Sequence, residues 1–324
     1  MSTFADVLER FAAHTPNPLL AAVDARMRAP LSVAVRGRRG VGRHAVARAL
    51  AASGMDVDVD ATRADLQVVV VAEVATPEDR QWLSADVPTV VVLNKADLSG
   101  RVPGGALASA ARIAAGIAAN VAHPVVPMIA HLATVQLDDE MVAALRTLAD
   151  NPADMTSVDA FVGTDHPLPA PVRHRMLALL DRFGVAHAVL GICSGADPAA
   201  VARTLRELSQ TERVVERLNR AAPEARYRRV CAAVDTLHRL SVETRDETVA
   251  EFLACDEVVV AVMAAAVDLW EASGLRVDAA DDAQAHVHRA VQWRGFADGP
   301  LNALHRRCAA DISRGSLRLL GRVR

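Results

Sequence analysis

Residues 88–97 read Pro88-Thr89-Val90-Val91-Val92-Leu93-Asn94-Lys95-Ala96-Asp97, and this stretch decides how the chain is built. Val90 to Leu93 are all aliphatic and leave no polar face, the pattern of a strand covered on both sides of a parallel sheet. The run ends in a polar loop that holds Lys95, the only lysine among 36 cationic residues. A carboxylate at the position of Asp97 can accept two parallel hydrogen bonds from a planar donor pair. The methylene stem of Lys95 can lie over a ring face, where a flat, forked guanidinium fits less well. The plainer reading is a turn in which Asn94 and Asp97 bond the local backbone.

Upstream, Leu66 to Ala72 (LQVVVVA) is a second apolar strand, followed by a helix start at Thr76-Pro77-Glu78-Asp79. Before it, Leu31 to Val35 reads as a strand entering Gly37-Arg38-Arg39-Gly40-Val41-Gly42-Arg43-His44, and then the helix Ala45 to Ala52. Gly37 and Gly42 match the two glycines of the phosphate-loop pattern G-x-x-x-x-G-K-S/T, with Gly40 between them. Such glycines let the chain turn tightly and aim backbone N–H groups at phosphate, beside a helix N-terminus. Arg43 stands at the lysine position and keeps its charge. His44 stands where a hydroxyl binds magnesium, and imidazole is a poor ligand for a hard, oxygen-seeking cation. Arg36, Arg38, Arg39 and Arg43 make the loop basic, which suits a nucleotide phosphate and equally a nucleic-acid or lipid phosphate.

The order strand, glycine-rich loop, helix, strand, helix, strand, N-K-x-D resembles a degenerate P-loop GTPase of the TRAFAC type. The resemblance implies that Asn94, Lys95 and Asp97 read guanine, and that Gly37, Gly40, Gly42, Arg43 and His44 lie at the phosphates of GTP or GDP. Val125 to His131 then form the last strand and a base loop in which the Ala130 N–H faces the guanine O6. Family parts are also missing. The interval from Ser53 to Leu66 leaves no room for a second switch helix. Asp60, ending the alternating strand Met55 to Val59, is either a metal-binding aspartate or a strand-end turn residue. Arg63 replaces the glycine that senses the γ-phosphate. Phosphoryl transfer needs positioned magnesium, a placed water and charge stabilisation. No catalytic residue is identified, magnesium lacks its hydroxyl ligand, and little or no hydrolysis is expected.

The chain has 324 residues, 52% of them hydrophobic, with few aromatics, so its cores are expected to be aliphatic. A net charge of −3 argues against a generic nucleic-acid binder. Asp6 and Glu9 come early and no apolar segment of a signal peptide follows. Val258 to Val267 reads as a buried helix. Cys193, Cys231, Cys255 and Cys308 are spaced as reduced core thiols, and His286 and His288 as surface histidines.

Four parts are expected. Residues 1–29 form two amphipathic helices broken at Thr15-Pro16-Asn17-Pro18. Residues 30–150 form a truncated, doubly wound parallel α/β sheet domain, closing with the helix Asp138 to Ala149. Residues 151–171 are a proline-rich linker, and 172–324 an α-helical bundle. In the last part, helices are expected over His174 to Phe183, Ala199 to Leu208, Arg226 to Leu240, Asp246 to Ser273, Asp281 to Trp293 and Pro300 to Ile312. A GTPase-like head followed by a bundle resembles the bacterial dynamin-like proteins, in particular the isoniazid-inducible type of actinobacteria. That resemblance implies a regulatory protein that pairs with an active dynamin-like GTPase or with its own copies, and the unpaired cysteines add the expectation of a cytoplasmic setting. The basic tail Ser313 to Arg324 either touches anionic lipid at the inner face of the plasma membrane or is a solvated or docked end. Two alternatives stay open: an atypical active GTPase at membranes, and a structural protein that binds no nucleotide.

Overall fold

The computed structural model describes all residues except Met1, Pro16, Asp60, Ser84, Ala85, Arg101 and Arg324. Helices α1 (Phe4–His14) and α2 (Pro18–Arg28) come first, N-capped by Thr3 and Asn17. Then follow β1 (Ser32–Gly37), α3 (Arg43–Ala52), β2 (Asp56–Asp58), β3 (Leu66–Val71), α4 (Pro77–Arg80), β4 (Thr89–Leu93), α5 (Gly105–Val121), β5 (Val125–Pro127) and α6 (Asp139–Asp150). The rest of the described chain is helical: α7 (Val158–Gly163), α8 (Ala170–Cys193), α9 (Pro198–Leu208), α10 (Thr211–Thr244), α11 (Glu247–Ala254), α12 (Asp256–Ala272), α13 (Ala283–Ala297) and α14 (Ala303–Val323). The chain divides into two compact units. One is Ser32–Leu218; the other combines Met1–Leu31 with Asn219–Arg324.

The first unit holds a five-stranded, all-parallel sheet in the order β2-β1-β3-β4-β5. Every residue of β3 and β4 is buried, as their unbroken aliphatic runs require. Val35 pairs with Val68, and Val70 with Val92, which brings the carboxyl ends of β1, β3 and β4 to one edge. From β1 the chain winds to β2 on one side and to β3, β4 and β5 on the other. The carboxyl ends of β1 and β3 therefore bound a topological switch point, where open parallel sheets place their ligands. Among the described residues of 59–65 there is no helix, in keeping with the short interval read from the sequence.

The division differs from the sequence expectation. Residues 151–171 contain α7, and α8 and α9 belong to the sheet unit rather than to a bundle beginning at 172. Phe161, Met176, Leu180, Val185, Val201 and Leu205 share one core with Val69, Val91, Ile117 and Leu145. Arg173, 4% exposed, donates to the carbonyls of Phe161 and Thr164 and so closes the end of α7 against α8. Among the described residues, α8 alone is long and apolar enough to cross a membrane. Its apolar side chains Met176, Leu180, Val185 and Ala188 are buried in this core.

The second unit is all-helical, with one core where α1 and α2 meet α10, α11 and α12 and another around Tyr227, Trp270, Trp293 and Ile312. The expected helix Asp246 to Ser273 is two helices, because Cys255 is extended (φ −68°, ψ 150°) and Asp256-Glu257 begin a new first turn. The basic tail is the last part of α14, with Ser313 and Ser316 buried and Arg318 and Arg322 bonding Asp256. His286 is not a surface histidine: it is 1% exposed and meets the guanidinium of Arg289 through Nδ1. Of the four free cysteines, Cys231 and Cys308 are buried, whereas Cys193 is exposed and Cys255 half-buried.

Candidate nucleotide-binding site

The glycine-rich loop leaves β1 at Gly37 and enters α3 at Arg43. Gly37 has φ +151°, and a Cβ there would lie 2.7 Å from the Val70 carbonyl oxygen of β3. Gly42 has φ +89° and lies against the side chain of Asn94. Both positions need glycine, for conformation and for space. Gly40 shares the left-handed φ but faces open space. As N-cap of α3, Gly42 brings no side-chain acceptor, so the first N–H groups of this ten-residue helix are uncapped.

Of the four arginines around the loop, two are committed. Arg36 donates to the Ala61 carbonyl. Arg38 donates from Nε to Asp79 Oδ1 at 3.0 Å, and Asp79 is 1% exposed. Arg39 is exposed and Arg43 half-buried, and neither makes an ion pair or side-chain hydrogen bond among the described residues. His44 lies elsewhere. It lines a shallow concavity with Ala47, Arg48, Ala51 and Val57, on the face of α3 toward β2. Asp60 lies outside the described residues. Among the described residues no group of three or more His, Cys, Asp or Glu side chains is placed to hold a metal ion.

Asn94 directly follows β4 and is 5% exposed. Its Nδ2 donates to the Val41 carbonyl of the glycine-rich loop at 2.9 Å, and its Oδ1 accepts from the Ala130 N–H at 3.1 Å. One side chain thus ties together the loops after β1, β4 and β5. This corrects one sequence expectation: the Ala130 N–H is already engaged by Asn94 and is not a spare donor for a base. The loop after β5 is fixed further by Met128 N–H on the Leu93 carbonyl, and by Ile129 N–H on the Ser209 carbonyl.

Lys95 is exposed with φ 59° and ψ 39°, and caps the 3₁₀ turn Ala96–Leu98. That turn aims Asp97 inward. Asp97 Oδ1 is buried and accepts no hydrogen bond. Burial pushes its carboxyl above the usual carboxylate range, and Asp181 adds to this; its own backbone N–H, His131 and Lys95 pull the other way. A buried carboxylate oxygen without a donor is uncommon, and Asp24 Oδ1 in the other unit shares the condition. His131 faces α8, where its Nε2 meets the Leu180 carbonyl at 3.2 Å.

The structure thus brings Gly37, Gly42, Arg43, Asn94, Lys95, Asp97 and Ala130 to one edge of the sheet. Asp79, Leu180, Asp181 and Ser209 also shape this edge and escaped sequence reading. Only the capping pattern Thr76-Pro77-Glu78-Asp79 signalled any of them. No family model matches the chain, and no curated protein or solved structure matches it.

Proposed function

We propose that this chain is a GTPase-derived regulatory protein that recognises a guanine nucleotide through Asn94, Lys95 and Asp97 and hydrolyses it slowly or not at all. The observation that carries the reading is the Asn94 bridge beside the unpartnered Asp97 oxygen. A ligand that offers two parallel N–H donors at one end and phosphate at the other fits that pairing, and guanine nucleotides do so. At the phosphate end, the uncapped start of α3 and the uncommitted Arg39 and Arg43 supply N–H groups and charge. The placement of His44 toward β2 supports the view that the hydroxyl ligand of magnesium is gone.

The parallel order of the sheet supports a truncated GTPase-like domain, and the all-helical second unit supports a bundle domain. The resemblance to dynamin-like proteins points to a paired active GTPase or second copy as partner and to peripheral contact with anionic membrane; the unpaired cysteines favour a cytoplasmic setting, and the net charge of −3 disfavours a nucleic-acid partner. The test is a titration with fluorescent GDP and GTP analogues, with and without magnesium, alongside phosphate release. Expected are saturable guanine-specific binding that depends little on magnesium, and no release above background. Absence of binding at high micromolar protein rejects the reading.

A further inference from the structure

The helical unit holds a cavity of about 380 Å³, the size of a small-molecule site, and its lining residues all belong to that unit. Its depth is apolar. Phe4 of α1 and Val230 of α10 are buried there, and Met27 of α2 is half-buried. Helix α12 presents Ala261, Ala264 and Ala265, at i, i+3 and i+4 on one face. Residues 258–263 of the same helix are otherwise Val and Met, so the space exists because the side chains facing it are small. Pro223 lines the cavity from inside α10, where it offers no N–H to the Asn219 carbonyl, a costly place for proline.

The charged lining divides into a fixed part and a free part. Arg229, 8% exposed, donates to the Ala29 and Pro30 carbonyls at 2.5 and 3.0 Å, which ties α10 to the chain after α2 and fixes one wall. Arg226 and Asp268 also line the cavity, and both are exposed. Neither makes an ion pair or side-chain hydrogen bond among the described residues, so they do not pair with each other. Each stands one helical turn from the apolar lining: Arg226 from Pro223 and Val230, Asp268 from Ala264 and Ala265. An apolar space with one free cation and one free anion at its exposed side suits a tail whose head carries both charges. A purely anionic head would meet Arg226 but be opposed by Asp268, and a purely cationic head the reverse.

We propose that this cavity binds a single-chain amphiphile with a zwitterionic head, of the lysophospholipid class. The tail lies against Phe4, Val230 and the α12 alanines, the phosphate meets Arg226, and the ammonium meets Asp268. Burial of the tail supplies the affinity, and the two charges select the head. The site lies within one unit and does not depend on the guanine reading.

The test is isothermal titration calorimetry on the full chain with decylphosphocholine, decyl sulfate and decyltrimethylammonium, each below its micelle concentration. Decylphosphocholine is expected to bind saturably at one site, with the two singly charged amphiphiles about tenfold weaker. Octylphosphocholine, two methylenes shorter, is expected to bind about 15-fold more weakly than decylphosphocholine. Arg226→Gln should weaken decylphosphocholine and decyl sulfate but not decyltrimethylammonium. Asp268→Asn should weaken decylphosphocholine and decyltrimethylammonium but not decyl sulfate. Ala264→Leu fills the cavity and should weaken decylphosphocholine about tenfold or more, with circular dichroism and a thermal melt reporting whether the variant is folded. Arg226 and Asp268 are exposed, so their variants carry the test if Ala264→Leu does not fold. Absence of saturable decylphosphocholine binding overturns the proposal. So do three head groups bound alike with both charge variants silent, or a folded Ala264→Leu that binds as the unaltered chain does.

Discussion

Gly42 sits so close to the side-chain amide of Asn94 that a Cβ at position 42 would lie 2.3 Å from Asn94 Nδ2. The glycine-rich loop and the strand-end asparagine are therefore fitted to each other, and neither can change alone. Gly42→Ala is expected to destabilise the protein by about 3 kcal/mol, from positive φ and from displacement of the asparagine. Gly40→Ala shares the left-handed backbone but meets open space, so about 1–2 kcal/mol is expected there. Urea midpoints of the two variants make the comparison. Equal losses would mean that the Asn94 contact carries no energy.

Asp97 gives a pH signature. Burial raises its carboxyl above the ordinary carboxylate range, so the folded state holds the proton more tightly than the unfolded chain does. Its contribution to stability is then fully present below the unfolded-state pKa and is lost as pH rises through the folded one. Asp97→Asn is expected to raise Tm at pH 7, with the gain shrinking toward pH 4, and to relax any preference for guanine. Thermal melts across that range check the first outcome, and a Tm gain independent of pH contradicts it.

The parts that sequence disclosed are those where local pattern and tertiary role coincide. Leu66 to Val71 and Thr89 to Leu93 could be read as strands because burial on both faces leaves no polar position. Asn94 was legible as a residue, but its partners were not, since they lie 53 and 36 positions away. An apolar stripe on α8 states that one face is covered and not what covers it, so the sequence alone does not show that α8 and α9 share the core of the sheet unit. The breaks at Asp181 and Cys255 carry no proline or glycine at the break itself, so local residue type does not signal them.

The Arg38–Asp79 pair is worth more than the surface ion pairs. Asp79 accepts from Arg38 and, through Oδ2, from the N–H and hydroxyl of Thr76 at 2.9 Å each, closing the capping box of α4. Asp79→Ala removes the reciprocal half of the capping box and strands a guanidinium that is itself largely covered, so a loss of about 2–4 kcal/mol is expected. Asp298→Ala, which breaks an exposed i,i+4 pair with Arg294, is expected to cost under about 0.5 kcal/mol. Chemical denaturation of both variants decides; a cost for Asp79→Ala as small as that for Asp298→Ala would place the Arg38 contact among ordinary surface pairs.

In the helical unit, Tyr227 is fully buried and its hydroxyl donates to Asp311 Oδ2 at 2.7 Å, while Asp311 is 7% exposed. Burial pushes the Asp311 carboxyl upward; Tyr227, Arg314 and Arg307 draw it down, and Asp235 raises it. Since the net shift is upward, stability from this group is lost as pH rises above the ordinary carboxylate range, and Tyr227 limits that loss by bonding the ionised form. Tyr227→Phe leaves a buried carboxylate oxygen without its closest donor and is expected to cost about 1–3 kcal/mol at pH 7. The cost should be smaller toward pH 4, where a carboxyl with a raised pKa carries more of its proton. Adding Asp311→Asn to Tyr227→Phe removes the buried charge, so the double variant should recover part of the loss at pH 7. Denaturant midpoints at the two pH values read both effects. A pH-independent cost, or a double variant no more stable than Tyr227→Phe alone, would mean that the buried carboxyl is neutral throughout.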